Sequence, residues 1–134
     1  MNVQWQKNMQ LIDANVILRF VLNDHPEMAD KAAKVITAWA YTKPEVIVEV
    51  VYVLKNVYHT PKEKISSIIH DILSIIHIAD SDCIVYAMDI YQSISLDFVD
   101  CLLIAYHKIK HENVFSFDKK LDKYLDDLPS SSML

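Results

Sequence analysis

The chain has 134 residues, of which 52% are hydrophobic, and its formal net charge at pH 7 is −5. This length predicts one domain with a sizeable core, and the negative charge argues against a broadly basic nucleic-acid-binding surface. Glycine is absent, which excludes glycine-rich phosphate loops and the G-x-S-x-G turn of hydrolases.

The ends of the chain differ in composition from its middle. Residues 1–8 are polar, without the apolar core of a signal peptide, and we expect them to extend a domain that spans residues 9–128. The Ser-rich residues 129–134 are expected to form a disordered tail. Cys83 and Cys101 lie in apolar, helix-like surroundings, which favours buried free thiols and fits a reducing cytoplasm.

The chain opens on a short apolar run that stops at an acid. Residues 9–12 are typical of a buried strand, Asp13 follows, and residues 16–22 predict a helix. Without glycine, the positive-φ positions must fall mostly on Asn, Asp or His, and Asn23 and Asn113 are the expected carriers.

Further strands and helices alternate along the rest of the chain. Three short apolar runs predict strands, at residues 45–47, 75–79 and 113–117. Caps, prolines and apolar periodicity predict helices at residues 24–40, 48–58, 80–94, 95–111 and 119–128, and a further one from Thr60. The alternation predicts an α/β fold with a mainly parallel sheet of four or five strands, covered on both faces.

Four carboxylates stand in positions that suggest a site. Asp13 and Asp118 each end a predicted strand, and Asp100 precedes an apolar stretch three residues after Asp97. Glu49 is the only charge in V-I-V-E-V-V-Y-V-L, and a buried lone carboxylate must be paired, protonated or metal-bound. Several carboxylates in one crevice would suit Mg²⁺ or Mn²⁺.

Each acid also has a purely structural interpretation. Asp13, Asp97 and Asp118 could cap the helices that follow them. Asp100 could be a first-turn acid that the helix dipole favours, and Glu49 could project into solvent. Only the coincidence of the acids favours a site over these alternatives.

The histidines offer a weaker metal site. His107 and His111 are four residues apart, so they could share a helix face and hold zinc. No HExxH pattern surrounds them, and no Ser/His/Asp or Cys/His grouping can be read from the spacing of the sequence.

Four stretches in order resemble the PIN-domain nucleases, particularly the small VapC-type toxins. They are L-I-D-A-N-V-I-L-R-F, P-E-V-I-V-E-V-V-Y-V-L, L-D-F-V-D-C-L-L-I-A and V-F-S-F-D-K-K-L. The resemblance covers nearly the whole chain, from about residue 9 to residue 128, and implies a three-layer α/β/α PIN-like fold. Ala14 departs from it, since Thr or Ser is common there, and a last edge strand is not evident.

The resemblance implies a Mg²⁺- or Mn²⁺-dependent endoribonuclease with one or two ions. Its catalytic and metal-binding residues would be Asp13, Glu49, Asp100 and Asp118, with support from Asp97, Asn15 and Ser116 and phosphate contacts from Arg19, Lys119 and Lys120. It further implies an RNA substrate, a possible antitoxin protein as partner, a homodimer and a cytoplasmic location.

Two other classes of function stay open at the level of sequence. The first is a non-catalytic PIN-like module that binds nucleic acid or protein. The second is a receiver-like phosphoacceptor domain, which needs an acid pair at the first strand and a Lys ending a late strand. Asp13 has no adjacent acid and the late strand is followed by Asp118, which disfavours the receiver.

Overall fold

The structure is a computed structural model that describes residues 9–127. The expected N-terminal extension at residues 1–8, residue 128 and the expected tail at residues 129–134 lie outside the described residues. The chain divides into two compact units, Met1–Ala79 and Asp80–Leu134, which are described separately below.

The first unit holds a small parallel sheet. Its strands are β1 (Gln10–Leu11), β2 (Ala40–Thr42) and β3 (His77–Ile78), in the order β1-β2-β3. Gln10 is paired with Ala40, and Tyr41 with His77. Four helices belong to this unit: α1 (Ala14–Leu22), α2 (Pro26–Thr37), α3 (Pro44–Asn56) and α4 (Lys62–Ile75).

Apolar periodicity explains the helices of the first unit. Helix α1 packs against α2 and α3, and α3 packs against α4. The inner faces supply six side chains with no exposed area: Ile17, Ile47, Val50, Leu54, Ile65 and Ile69. Burying such a side chain stabilises the fold by about 1.5–3 kcal/mol, so these faces hold the helices in place.

The described part of the second unit, residues 80–127, contains three helices, α5 (Ser81–Tyr91), α6 (Phe98–Lys110) and α7 (Lys119–Asp127). Helix α6 packs against both α5 and α7. The start of α5 is tied to the end of α6 twice, because Lys110 Nζ lies 3.0 Å from Asp82 Oδ2 and the Tyr106 hydroxyl donates to Asp80 at 3.0 Å. The rings of Tyr91 and Phe98 meet edge to face at 5.8 Å.

The prediction of two buried free thiols is confirmed. Cys83 in α5 and Cys101 in α6 are both fully buried and form no disulfide. Burial raises the pKa of the Cys83 thiol to about 11, so this side chain stays protonated at neutral pH.

The α/β class with a parallel sheet is confirmed, but the described residues form three strands rather than four or five. Residues 45–47 were expected to be a strand and are helical, because Pro44 occupies the start of α3; the strand lies earlier, at Ala40–Thr42. Residues 113–117 form no strand, and Phe115 and Phe117 in that segment are 82% and 92% exposed. Strand β1 is also more exposed than expected, since both of its residues are exposed.

Left-handed backbone falls mostly on the expected residue types. Asn23, His59, Asp80 and His111 have positive φ, whereas Asn113 does not. The exception is Trp39, whose φ of 69° is an uncommon conformation for a bulky side chain. Among the described residues, no helix has the length and apolar character needed to cross a membrane.

Candidate active site

Asp13 lies two residues after the end of strand β1, and the intervening residue, Ile12, is held firmly. Ile12 is buried, its amide donates to the Tyr41 carbonyl at 3.0 Å, and its carbonyl accepts a 2.7 Å bond from the Thr42 hydroxyl. Thr42 is 1% exposed, so this bond is shielded from water. These hydrogen bonds fix the backbone immediately before Asp13.

The Asp13 carboxylate caps α1, as the structural interpretation predicted. Its Oδ1 accepts from the Val16 amide at 3.1 Å, and the side chain is exposed. A carboxylate has about four lone-pair sites, so one cap bond leaves capacity for another partner. Capping and metal binding are thus compatible roles for Asp13.

Glu49 and Asn15 are two further candidate residues in the first unit. Glu49 lies in the middle of α3 on the face opposite Ile47 and Val50, and it is exposed, so the expectation that it is buried is wrong. The helical period explains the error, because it turns one residue in V-I-V-E-V-V-Y-V-L outward. Asn15 is exposed in the first turn of α1. Its side chain and that of Glu49 form no hydrogen bond with another described residue.

Arg19 is engaged within the first unit. Its Nη1 atom donates to both oxygens of Asp24, at 2.8 and 2.9 Å, and its Nη2 atom donates to the Tyr58 hydroxyl at 3.4 Å. The Arg19 side chain is only 12% exposed. Both Asp24 oxygens accept from Arg19, and His25 occupies the cap position of α2.

The second unit brings three of the predicted acids into electrostatic contact. Asp97 precedes α6, Asp100 lies in its first turn and is half-buried, and Asp118 precedes α7. The pKa of Asp100 is raised, first by burial and then by the negative charges of Asp118 and Asp97. Asp100 therefore lies within electrostatic range of two other predicted acids.

Asp118 is held by the same type of cap as Asp13. Its Oδ1 accepts from the amides of Lys120 and Leu121, at 2.9 and 3.3 Å. Its own amide donates to the Ser116 hydroxyl at 2.9 Å, which agrees with a supporting role for Ser116. Lys119 and Lys120 are exposed and form no ion pair with another described residue.

The candidate residues suit a divalent cation in the chemistry of their donor atoms but not in their arrangement. Their oxygen donors are those that Mg²⁺ and Mn²⁺ prefer. Across residues 9–127, however, no group of three or more His, Cys, Asp or Glu side chains is arranged so that it could hold a metal ion. The two histidines do not share a helix face as expected, because His111 is the left-handed residue that ends α6, and His107 Nδ1 lies 2.8 Å from the Glu112 carbonyl.

Two supporting residues were missed from the sequence. Thr42 holds the strand end before Asp13, and Tyr58 contacts Arg19. Thr42 is β-branched and lies two positions before Pro44, which was a local signal for the end of a strand. Nothing in the sequence, however, links Thr42 to Ile12 or Tyr58 to Arg19, because these partners are 30 and 39 residues apart.

Comparison with known proteins identifies the family. Neither the curated proteins nor the solved structures gave a match. The family model of the PIN domain matches residues 11–125, a range that includes every acid described above. The chain therefore belongs to the PIN-domain family, whose members are generally nucleases.

Proposed function

We propose that the chain is a Mg²⁺- or Mn²⁺-dependent endoribonuclease that hydrolyses phosphodiester bonds in single-stranded or structured RNA. The observation that carries the proposal is the group of Asp97, Asp100 and Asp118, in which burial and then the two negative neighbours raise the pKa of Asp100. A fold does not require such an arrangement, since the mutual repulsion of carboxylates costs stability. Acids whose pKa is shifted by burial and by neighbouring charges are found often at functional sites.

The acids are assigned to metal binding. Asp100 and Asp118, together with Asp13 and Glu49, would hold one or two ions through carboxylate oxygens or water. A bound divalent cation supplies activation of water and stabilisation of the leaving oxygen. Hydrolysis then forms one P–O bond to the water oxygen and breaks the P–O bond to the leaving oxygen.

The remaining candidates would position these acids and the substrate. Ser116 fixes the backbone of Asp118 through the 2.9 Å bond to its amide. Asp97 and Asn15 are proposed to orient carboxylates or water molecules. Lys119 and Lys120 are exposed and available for phosphate, whereas Arg19 would have to exchange its bonds to Asp24 for such a contact.

The experiment is cleavage of a panel of single-stranded and hairpin RNAs with Mg²⁺, Mn²⁺ or EDTA. We expect cleavage only with the metal, and a loss of roughly 100-fold or more in Asp100→Asn. The matched control is Asp30→Asn, which changes an exposed acid that pairs with Lys34 on α2 at 3.6 Å. Cleavage in EDTA, or full activity in Asp100→Asn, would refute the proposal.

A non-catalytic PIN-like module that binds nucleic acid or protein is the second candidate. It is favoured by the lack of a metal-binding group of three or more of these side chains among residues 9–127. The cleavage experiment distinguishes the two, because the module would bind RNA or protein and cut nothing under any metal condition.

The biological setting is proposed from the VapC-type resemblance. We infer a cytoplasmic toxin that forms a homodimer and is inhibited by an antitoxin protein. Co-expression is the test: the chain alone should arrest growth, Asp100→Asn should not, and a neighbouring small reading frame should restore growth.

A further inference from the structure

Two phenylalanines between α6 and α7 are the most exposed large apolar side chains of the described residues. Phe115 is 82% exposed and Phe117 is 92% exposed, against 63% for Tyr52, the next highest. The two rings meet edge to face, with centroids 5.1 Å apart and an interplanar angle of 85°. We call them the Phe pair. Phe is usually buried in the core. Because these two rings are exposed instead, packing of the core does not explain their presence.

The Phe pair is tied to a predicted catalytic acid. Its two members flank Ser116, whose hydroxyl accepts from the Asp118 amide, and Asp118 in turn caps α7. Phe117 is thus the residue immediately before an acid whose backbone and carboxylate are both hydrogen-bonded. The pair is therefore presented beside Asp118 by a segment with defined local structure.

The charges beside the Phe pair indicate the chemistry of its ligand. Lys119 and Lys120 follow at once, both exposed and neither forming an ion pair with a described residue. Aromatic faces next to cationic side chains are the combination that binds single-stranded nucleic acid, with bases stacked on rings and phosphates on lysines. Two rings are too small a patch for a typical protein interface, which buries about 800 Å² on each partner.

We propose that the Phe pair is a stacking platform for an unpaired base of the RNA strand that is cut. The inference rests on the proposed function and deepens it, since it assigns the contact for one unpaired nucleotide to the Phe pair. Paired bases are already stacked within a duplex and offer no free face, so the platform would accept only an unpaired nucleotide. An edge-to-face pair keeps ring faces uncovered for this contact.

The first test measures binding without cleavage. Fluorescence anisotropy of a labelled single-stranded RNA is recorded in EDTA for the wild type, Phe117→Ala, Phe115→Ala and Phe117→Leu. We expect about 10-fold weaker binding in each variant, because leucine is apolar but has no aromatic face. Phe117→Trp should bind at least as tightly as the wild type, and Val57→Ala, at a 60% exposed position in the first unit, should change nothing.

The second test locates the contact on the RNA. A single abasic nucleotide is moved along the strand, and the wild type should lose about 10-fold in affinity at one position. Phe117→Ala should show no additional loss at that position, because the same contact is already missing. A fully paired duplex of the same sequence should bind wild type and variant equally.

The outcomes separate this proposal from the nuclease proposal. Unchanged binding in both alanine variants, or wild-type binding in Phe117→Leu, overturns the platform even if RNA is cleaved. A change confined to the oligomeric state, seen by gel filtration, overturns it as well and assigns the pair to a contact between copies of the chain. Absence of metal-dependent cleavage refutes the nuclease, while weaker binding of the alanine variants in EDTA would still support the platform. Because both rings are exposed, the variants should melt at the wild-type temperature.

Discussion

At the scale of single residues, a helix cap and a candidate metal ligand coincide. Asp13 and Asp118 each spend one oxygen, Oδ1, on the amides of the helix that follows. The sequence patterns of a capping acid and a site acid are the same, so the sequence could indicate both roles but not choose between them. Asp100 differs, because the negative charge of Asp118 near it is a property of the fold that no local pattern contains, whereas Asp97 is close to it in the sequence.

Asp100→Asn should stabilise the metal-free protein at neutral pH. The raised pKa means that the charged form of Asp100 costs stability above that pKa, and the cost disappears as the pH falls through it. We expect a gain of about 1 kcal/mol in the free energy of unfolding at pH 7, measured with urea in EDTA. The gain should vanish near the ordinary carboxyl value of 3.8.

Asp30→Asn is the control for that measurement. Its exposed i,i+4 pair with Lys34 predicts a change of no more than about 0.5 kcal/mol at pH 7. A lower stability of Asp100→Asn at neutral pH would contradict the repulsion inferred from the neighbouring acids.

The salt dependence of RNA binding distinguishes the cationic residues that contact phosphate from those that do not. Each lysine that contacts a phosphate contributes about 0.7 to the slope of log K against log salt for a single strand. We therefore expect shallower slopes for Lys119→Ala and Lys120→Ala. Arg19→Ala should leave the slope unchanged and lower thermal stability instead, because its guanidinium is bonded to Asp24 and Tyr58. A shallower slope in Arg19→Ala would restore it as a phosphate contact.

At the scale of elements, helices were easier to predict than strands. Pro61, Glu63 and the apolar period of α4 are all local signals, and a helix forms there at Lys62–Ile75, although Pro61 rather than Thr60 is its N-cap. Strands of two or three residues carry little periodicity, so β2 was missed at Ala40–Thr42. The segment at residues 113–117 has the composition of a strand, yet strand formation depends on a partner that composition does not specify.

Thr42→Val tests the hydrogen bond that holds Ile12, the residue that follows β1. The substitution removes the 2.7 Å bond to the Ile12 carbonyl in a buried environment and should cost about 1–2 kcal/mol of stability. Because Asp13 directly follows Ile12, we expect the rate of RNA cleavage to fall together with the free energy of unfolding. Chemical denaturation and single-turnover cleavage measure the two effects.

Thr37→Val serves as the matched control. The Thr37 hydroxyl bonds to carbonyls of its own helix, Ala33 and Lys34, and is exposed to water. Its loss should cost less than about 0.5 kcal/mol and leave cleavage unchanged. Equal costs for the two variants would show that the Thr42 bond has no special role.

At the scale of the whole molecule, the family match spans both units. It covers residues 11–125, so Asp13 and Glu49 of the first unit and Asp100 and Asp118 of the second belong to one domain family. The order of the four motifs along the chain carried this identification, and it could be read from the sequence. Which acids are buried or lie near the charges of distant acids could not, since those properties depend on packing between distant segments.

The proposed function requires that a divalent metal binds to the acids assigned to it, among them Asp13 and Asp100. The most direct test is the melting temperature of the wild type, Asp13→Asn, Asp100→Asn and Asp30→Asn with and without Mn²⁺. Saturation at 100 times Kd stabilises a protein by about 2.7 kcal/mol, which is several degrees for a chain of this size. We predict that Mn²⁺ raises the melting temperature of the wild type and of Asp30→Asn, and of neither variant at Asp13 or Asp100. A wild-type melting temperature that Mn²⁺ does not change, or a full rise in Asp13→Asn, would contradict the account.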